Sequence, residues 1–217
     1  MFMGSTNFDG ANNVDTYLDR VGAGFNATTS LDRTNYYATL PPAALDGYIA
    51  IEADRMRGLL LREKDRQSEM TVVRNEYERN ENNPNGALMK LMWATAFSAH
   101  PYHHPVIGWR SDIEKVSIEK LREFYDTFYW PNNATVTVVG DIDSAKVLAS
   151  IGDKFGKVPR SPHAIPEVYT TEPEQQGERR VTLRRGGETG TVMMAYKAPA
   201  GLDKDIPALN VLELVLQ

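Results

Sequence analysis

The sequence predicts an α+β fold, a mixed and largely antiparallel sheet packed against helices. Two observations carry this. Helix-period and strand-period stretches are interspersed without regular βαβ alternation, which disfavours a doubly wound sheet. Residues 25–30 and 34–40, rich in Thr and Tyr, flank the polar Leu31-Asp32-Arg33 and read as the two strands of a hairpin.

Along the chain, Val14, Tyr17, Leu18 and Val21 fall on one face of a short helix over 12–21, which Gly22 and Gly24 end. The hairpin follows, and Pro41-Pro42 stops it. Helical periodicity resumes over 43–61, with Leu45, Tyr48, Ile49, Met56, Leu59 and Leu60 on one stripe. A second helix covers about 64–81, up to Asn82-Asn83-Pro84-Asn85-Gly86, and a third covers 87–97. Residues 100–109 form a proline-punctuated loop holding three of the four histidines. Ser117 caps a helix to about residue 129, with Lys120 where a capping box would place Glu or Gln. Residues 135–139 read as a buried strand, and Asp143 caps a helix ending near Phe155-Gly156. Residues 157–178 hold four of the twelve prolines and read as a linker. Beyond it, 179–185 and 191–197 alternate as two strands about a glycine-rich turn, and a last helix starts after Asp205 with Pro207 in its first turn.

Composition narrows the function. The 217 residues include 24 Lys+Arg and 29 Asp+Glu, a net charge of −5, which argues against nucleic acid as a partner. With no cysteine, disulfides, thiol nucleophiles and Cys-ligated metals are excluded, so a metal would need His, Asp or Glu. No apolar stretch reaches the roughly 18 residues needed to span a bilayer. The opening residues lack the basic region and cleavage site of a signal peptide, and the chain closes inside an apolar helical pattern. Both ends therefore read as those of a piece of a longer protein.

Glu69 and Glu76 lie seven residues apart, two helical turns, so they stand nearly one above the other with Val73 between. Such a pair suits metal ligation, and equally the solvated face of a charged helix, since Glu63, Glu78 and Glu81 are close by. His100, His103 and His104 invite a zinc reading, but Pro101 and Pro105 prevent the continuous helix that a helical His pair requires; they read as a structural loop. No nucleophile elbow or phosphate-cradling glycine loop is present.

Several segments, taken in order, resemble the pitrilysin/insulinase family of zinc metallopeptidases, whose motif is an inverted H-x-x-E-H. They are Met1-Phe2-Met3-Gly4-Ser5-Thr6, the hairpin from Phe25 to Tyr37, Glu52-Ala53-Asp54-Arg55-Met56, Asn83-Pro84, His100-Pro101-Tyr102, His104 through Gly108, and Phe128 through Asp141. The resemblance implies a lobe like that of the mitochondrial processing peptidases, with the motif falling just upstream of Met1. It implies that Glu76 is the third zinc ligand and that Glu69 steadies the site by hydrogen bonding. It implies too that Asn26 and Ala27 lie on an edge strand that pairs with an extended peptide substrate. In a complete protein of this kind, zinc polarises the peptide carbonyl and its bound water, deprotonated by the motif Glu, attacks it.

The two His ligands and that Glu are absent from these residues, so tight zinc binding and peptidase activity are not expected of this chain alone. The organisation implied is a peptidase lobe over 1–156 without its first strand and motif helix, a linker over 157–178, and the start of a second related lobe over 179–217. The expected partners are a peptide substrate and a second half or homologous subunit. A bacterial periplasm or envelope location is implied by resemblance, and the alternative role is that of a non-catalytic structural or processing-partner subunit.

Overall fold

Asn13 starts the first helix by accepting a hydrogen bond from the Thr16 N–H, which satisfies one of the free amides of α1 (Val14–Arg20). Gly22 ends it at φ +69°, a left-handed conformation that glycine adopts at little cost. Strands β1 (Gly24–Thr29) and β2 (Thr34–Thr39) pair antiparallel, with Asn26 opposite Tyr37 and Ala27 opposite Tyr36. The computed structural model describes residues 4–186 and 190–216 of the chain.

After a single 3₁₀ turn at Pro42–Ala44 come α2 (Leu45–Gly58), α3 (Glu63–Asn82) and α4 (Pro84–Ala96). Helix α2 ends three residues earlier than its periodicity predicts. Leu59 turns extended and forms an antiparallel bridge with Ser5, flanked by hydrogen bonds from Thr6 N–H to the Gly58 carbonyl and from Leu60 N–H to the Gly4 carbonyl. Asn83 accepts from the N–H groups of Asn85 and Gly86, and Pro84 occupies the first turn of α4, where its missing donor is harmless. Helix α5 (Arg110–Lys115) is short and was not foreseen; Trp109 before it gives no side-chain cap. Ser117 caps α6 (Ile118–Phe128) and Asp143 caps α7 (Ser144–Phe155), both through side-chain oxygens. Helix α8 (Ile206–Leu216) follows, with Pro207 in its first turn.

The core forms where α1, the hairpin and α2 converge. Val14, Leu18 and Ile51 are fully buried, with Phe25, Ala38 and Tyr48 packed against them. Each such side chain contributes roughly 1.5–3 kcal/mol through removal from water. Polar groups extend this packing. Arg55 is buried, pairs with Glu52 at 2.9 Å and lies 4.8 Å over the Tyr36 ring. Tyr125 donates to the Arg55 carbonyl and accepts from the Leu59 N–H, which ties the end of α2 to α6. Arg57 lies 3.8 Å over the Trp130 ring and donates to the Tyr129 carbonyl.

The architecture is α+β, but the described sheet has two strands only. Residues 135–139, predicted as a buried strand, are irregular, and Val139 is 90% exposed. Residues 179–185 and 191–197 also form no ladder; Val192, Met194 and Tyr196 are exposed. The physical reason is shared. A strand exists only through a neighbour's hydrogen bonds, and among the described residues these segments have no strand beside them. Gly187, Glu188 and Thr189 of the expected turn, and Met1 to Met3, lie outside the described residues.

Candidate metal and peptide site

Both candidate acids stand on α3. Glu69 is half-buried, Glu76 is exposed, and their spacing sets them about 10 Å apart along the helix axis. Burial pushes the Asp15 carboxyl up, and the charges of Asp19 and Glu69 add to that. One Asp15 carboxylate oxygen is buried without a hydrogen-bond partner.

These residues do not compose a metal centre by themselves. Among the described residues, no group of three or more His, Asp or Glu side chains is placed to hold a metal ion. A structural or catalytic zinc site takes at least three protein ligands, so Glu76 fits as a contributor and not as a site. The histidines are otherwise engaged. His100 Nδ1 accepts from the Tyr102 N–H, His103 Nδ1 meets the His100 carbonyl at 2.9 Å, and His104 Nδ1 accepts from the Trp109 indole. The loop at 100–109 is thus held by its own imidazoles, in line with its reading as structural.

On the hairpin, Asn26 is exposed and Ala27 half-buried. The Asn26 side-chain oxygen accepts from the Ala27 N–H at 2.8 Å. Strand β1 has β2 on one side and, among the described residues, no strand on the other. An edge with no strand beside it is the kind of place where an extended chain can add by β-augmentation.

A polar cleft of about 340 Å³ lies near the end of α3, lined by Tyr77, Glu78, Glu81, Asn82, Arg110 and Arg185. Its charges are matched internally, Arg110 with Glu78 at 3.7 Å and Arg185 with Glu81 at 4.0 Å. On a helix, Tyr77, Glu78 and Glu81 face roughly 80–180° away from the Glu69–Glu76 stripe, so this cleft does not extend that site. The residues that sequence reading missed are those that hold the hairpin in place, Arg55, Tyr36 and Tyr129. Their contacts join segments far apart in sequence, and no local pattern marks them.

The fold is that of a peptidase lobe. Residues 1–109 match the model of the insulinase family, peptidase family M16, and residues 115–217 match that of the peptidase M16 inactive domain. The chain belongs to the insulinase (M16) family. It is 35% identical to the zinc protease PqqE of Helicobacter pylori over 95% of this chain and 47% of that protein. In structure it is similar to a protease from Helicobacter pylori, with a TM-score of 0.77 and 34% identity over 81% of this chain and 43% of the other. It is also similar to the first half of the periplasmic protease PqqL from Escherichia coli, with a TM-score of 0.69 and 27% identity over 80% and 38%. The chain thus spans about half the length of the Helicobacter relative. Among the described residues, no helix is long and apolar enough to cross a membrane.

Proposed function

We propose that this chain is the metal-ligand-bearing lobe of a zinc-dependent metalloendopeptidase that cleaves extended peptides. In this reading Glu76 supplies the carboxylate ligand, Glu69 steadies it, and Asn26 and Ala27 pair with the substrate main chain. The two His ligands and the general base belong to an H-x-x-E-H motif preceding Met1. A second half of the same protein, or a homologous subunit, closes over the substrate, and the setting is the bacterial periplasm or envelope. The lobe comprises residues 1–156, the linker 157–178, and the start of a second lobe 179–217. The observation that carries the reading is Glu69 and Glu76 standing on one stripe of α3, in a chain whose relatives bear the name zinc protease.

One observation favours a second reading, that of a non-catalytic partner subunit: nearly half the chain matches an inactive domain. The experiment is a zinc and activity assay of the complete protein and its Glu76→Gln variant. Loss of stoichiometric zinc and of peptide cleavage in the variant supports the peptidase reading. Full zinc occupancy and activity in Glu76→Gln would overturn it, and an inactive, zinc-free parent would establish the subunit role. The 217-residue chain alone is expected to take up no zinc tightly and to leave a casein or peptide substrate intact, which calorimetric titration and a fluorogenic assay check.

A further inference from the structure

The C-terminal end of α4 is bonded to partners that come from far along the chain. Past Ala96 the three successive amides of Ser98, Ala99 and His100 all point at one carboxylate. Glu172 accepts from Ser98 N–H at 2.8 Å, Ala99 N–H at 2.8 Å and His100 N–H at 2.9 Å, and from the Ser98 hydroxyl at 2.9 Å. Three consecutive N–H donors on one acceptor form a backbone nest, the arrangement by which main chain binds anions. Although a side chain 11% exposed is desolvated, which alone would raise its pKa, the amides outweigh that and hold Glu172 well below the usual carboxylate range.

Two cations complete the arrangement. Arg179 donates to the carbonyls of Thr95 and Ala96 at 2.9 and 3.2 Å, capping the last turn of α4, and lies 3.8 Å from Glu172. Lys197 lies 3.8 Å from the same carboxylate and 3.6 Å over the Phe97 ring. Between these two, the chain reaches the other end of α4, where Thr191 donates to the Asn85 side chain and Arg185 approaches Glu81 at 4.0 Å. Residues 172–186 therefore run out along α4 and residues 190–197 return, fastened at the end where they start and finish. The nest also adjoins the hairpin. Phe97 and His100 pack edge-on or tilted against Tyr102, whose hydroxyl donates to Asp32 in the hairpin turn.

We infer that Glu172 is a clasp that docks residues 179–186 and 190–197, the start of the second lobe in the reading above, onto α4 of the hairpin-bearing body, so that these residues part from that body only when the clasp opens. The proline-rich stretch before Glu172 is then a bridge between two fixed points and not the hinge. This inference does not depend on the zinc reading.

Limited trypsin proteolysis of the 217-residue chain tests it, because Arg179 and Lys197 are both cleavage sites and both clasp members. In Glu172→Ala, cleavage after Arg179 and Lys197 should accelerate about tenfold through local opening, while cleavage after Lys157 and Arg160 changes less than about twofold. Amide exchange at Ser98, Ala99 and His100 should rise in parallel. Unchanged rates at Arg179 and Lys197, or equal acceleration at all four sites, would overturn the clasp. Should Glu172→Ala fail to fold, Glu172→Gln keeps the shape while removing the charge, and is read by the same two outcomes.

Discussion

The phenol oxygens of Tyr36 on β2 and Tyr129 just past α6 lie 2.8 Å apart, with their rings tilted at 54°. This hydrogen bond fastens the hairpin to a helix 93 residues away. Burial, aided by Tyr129, pushes the Tyr36 hydroxyl well up, so it stays protonated throughout the physiological range. Tyr36→Phe and Tyr129→Phe should each cost about 1 kcal/mol in urea unfolding, and the double variant should cost little more than either. Fully additive losses would show that the two hydroxyls act independently.

Gly47 inverts a common rule. In an ordinary helix interior, Gly→Ala stabilises by about 1 kcal/mol. Here a Cβ at position 47 would sit 2.2 Å from the Tyr17 hydroxyl, which now donates to the Ala44 carbonyl at 2.8 Å. Tyr17 packs on the core, so it cannot move without giving up both that bond and its packing. Gly47→Ala should therefore lower stability by about 1 kcal/mol net. A raised melting temperature for this variant would refute the argument.

Acid should weaken the fold in a defined window. Hydrogen bonds from Arg66 and Gln67 bring Glu63 from 4.5 down to about 2, Arg62 lowers Asp9, and Lys154 with Ser150 lowers Asp46. For a carboxylate whose folded pKa lies below its unfolded one, the contribution is complete above the unfolded value and disappears as pH falls through the folded value. Thermal melts between pH 6 and 2 should thus decline mainly below pH 4.5, and the decline should be shallower in Glu63→Gln. These pairs are exposed, so salt should blunt the effect. A flat profile down to pH 2 would contradict it.

On the hairpin, Ala27→Pro removes the N–H that the Asn26 side chain now holds and that an incoming peptide would use. In the complete protein, on the peptidase reading proposed above, it should raise KM for long, unstructured peptides severalfold with a smaller change in kcat, as expected for one lost main-chain hydrogen bond. An unaltered KM would count against pairing at this edge.

What the sequence makes legible follows from the range of the interactions. Asn13, Ser117 and Asp143 cap helices through groups two or three residues away, and those starts are readable because the physics is local. The hairpin is readable because its partners are separated by a few residues. Residues 135–139 and 191–197 have β-prone composition, yet composition supplies no partner, and the described chain places none beside them. Helix α5 lacks a capping side chain and follows two prolines, so nothing local announces it. For the candidate site, helical spacing alone sets Glu69 and Glu76 on one face, whereas the metal-ligating and steadying roles proposed for them rest on family resemblance. The Glu172 clasp spans 72 to 74 residues and has no sequence signature.

The last helix has a practical consequence at the bench. Val211, Leu212, Leu214, Val215 and Leu216 are all at least half exposed on α8, in addition to the bare Val192, Met194 and Tyr196. Exposed contiguous apolar surface of this kind is sticky. A preparation of this polypeptide will brighten environment-sensitive dyes, be retained on phenyl resin and precipitate early in ammonium sulfate.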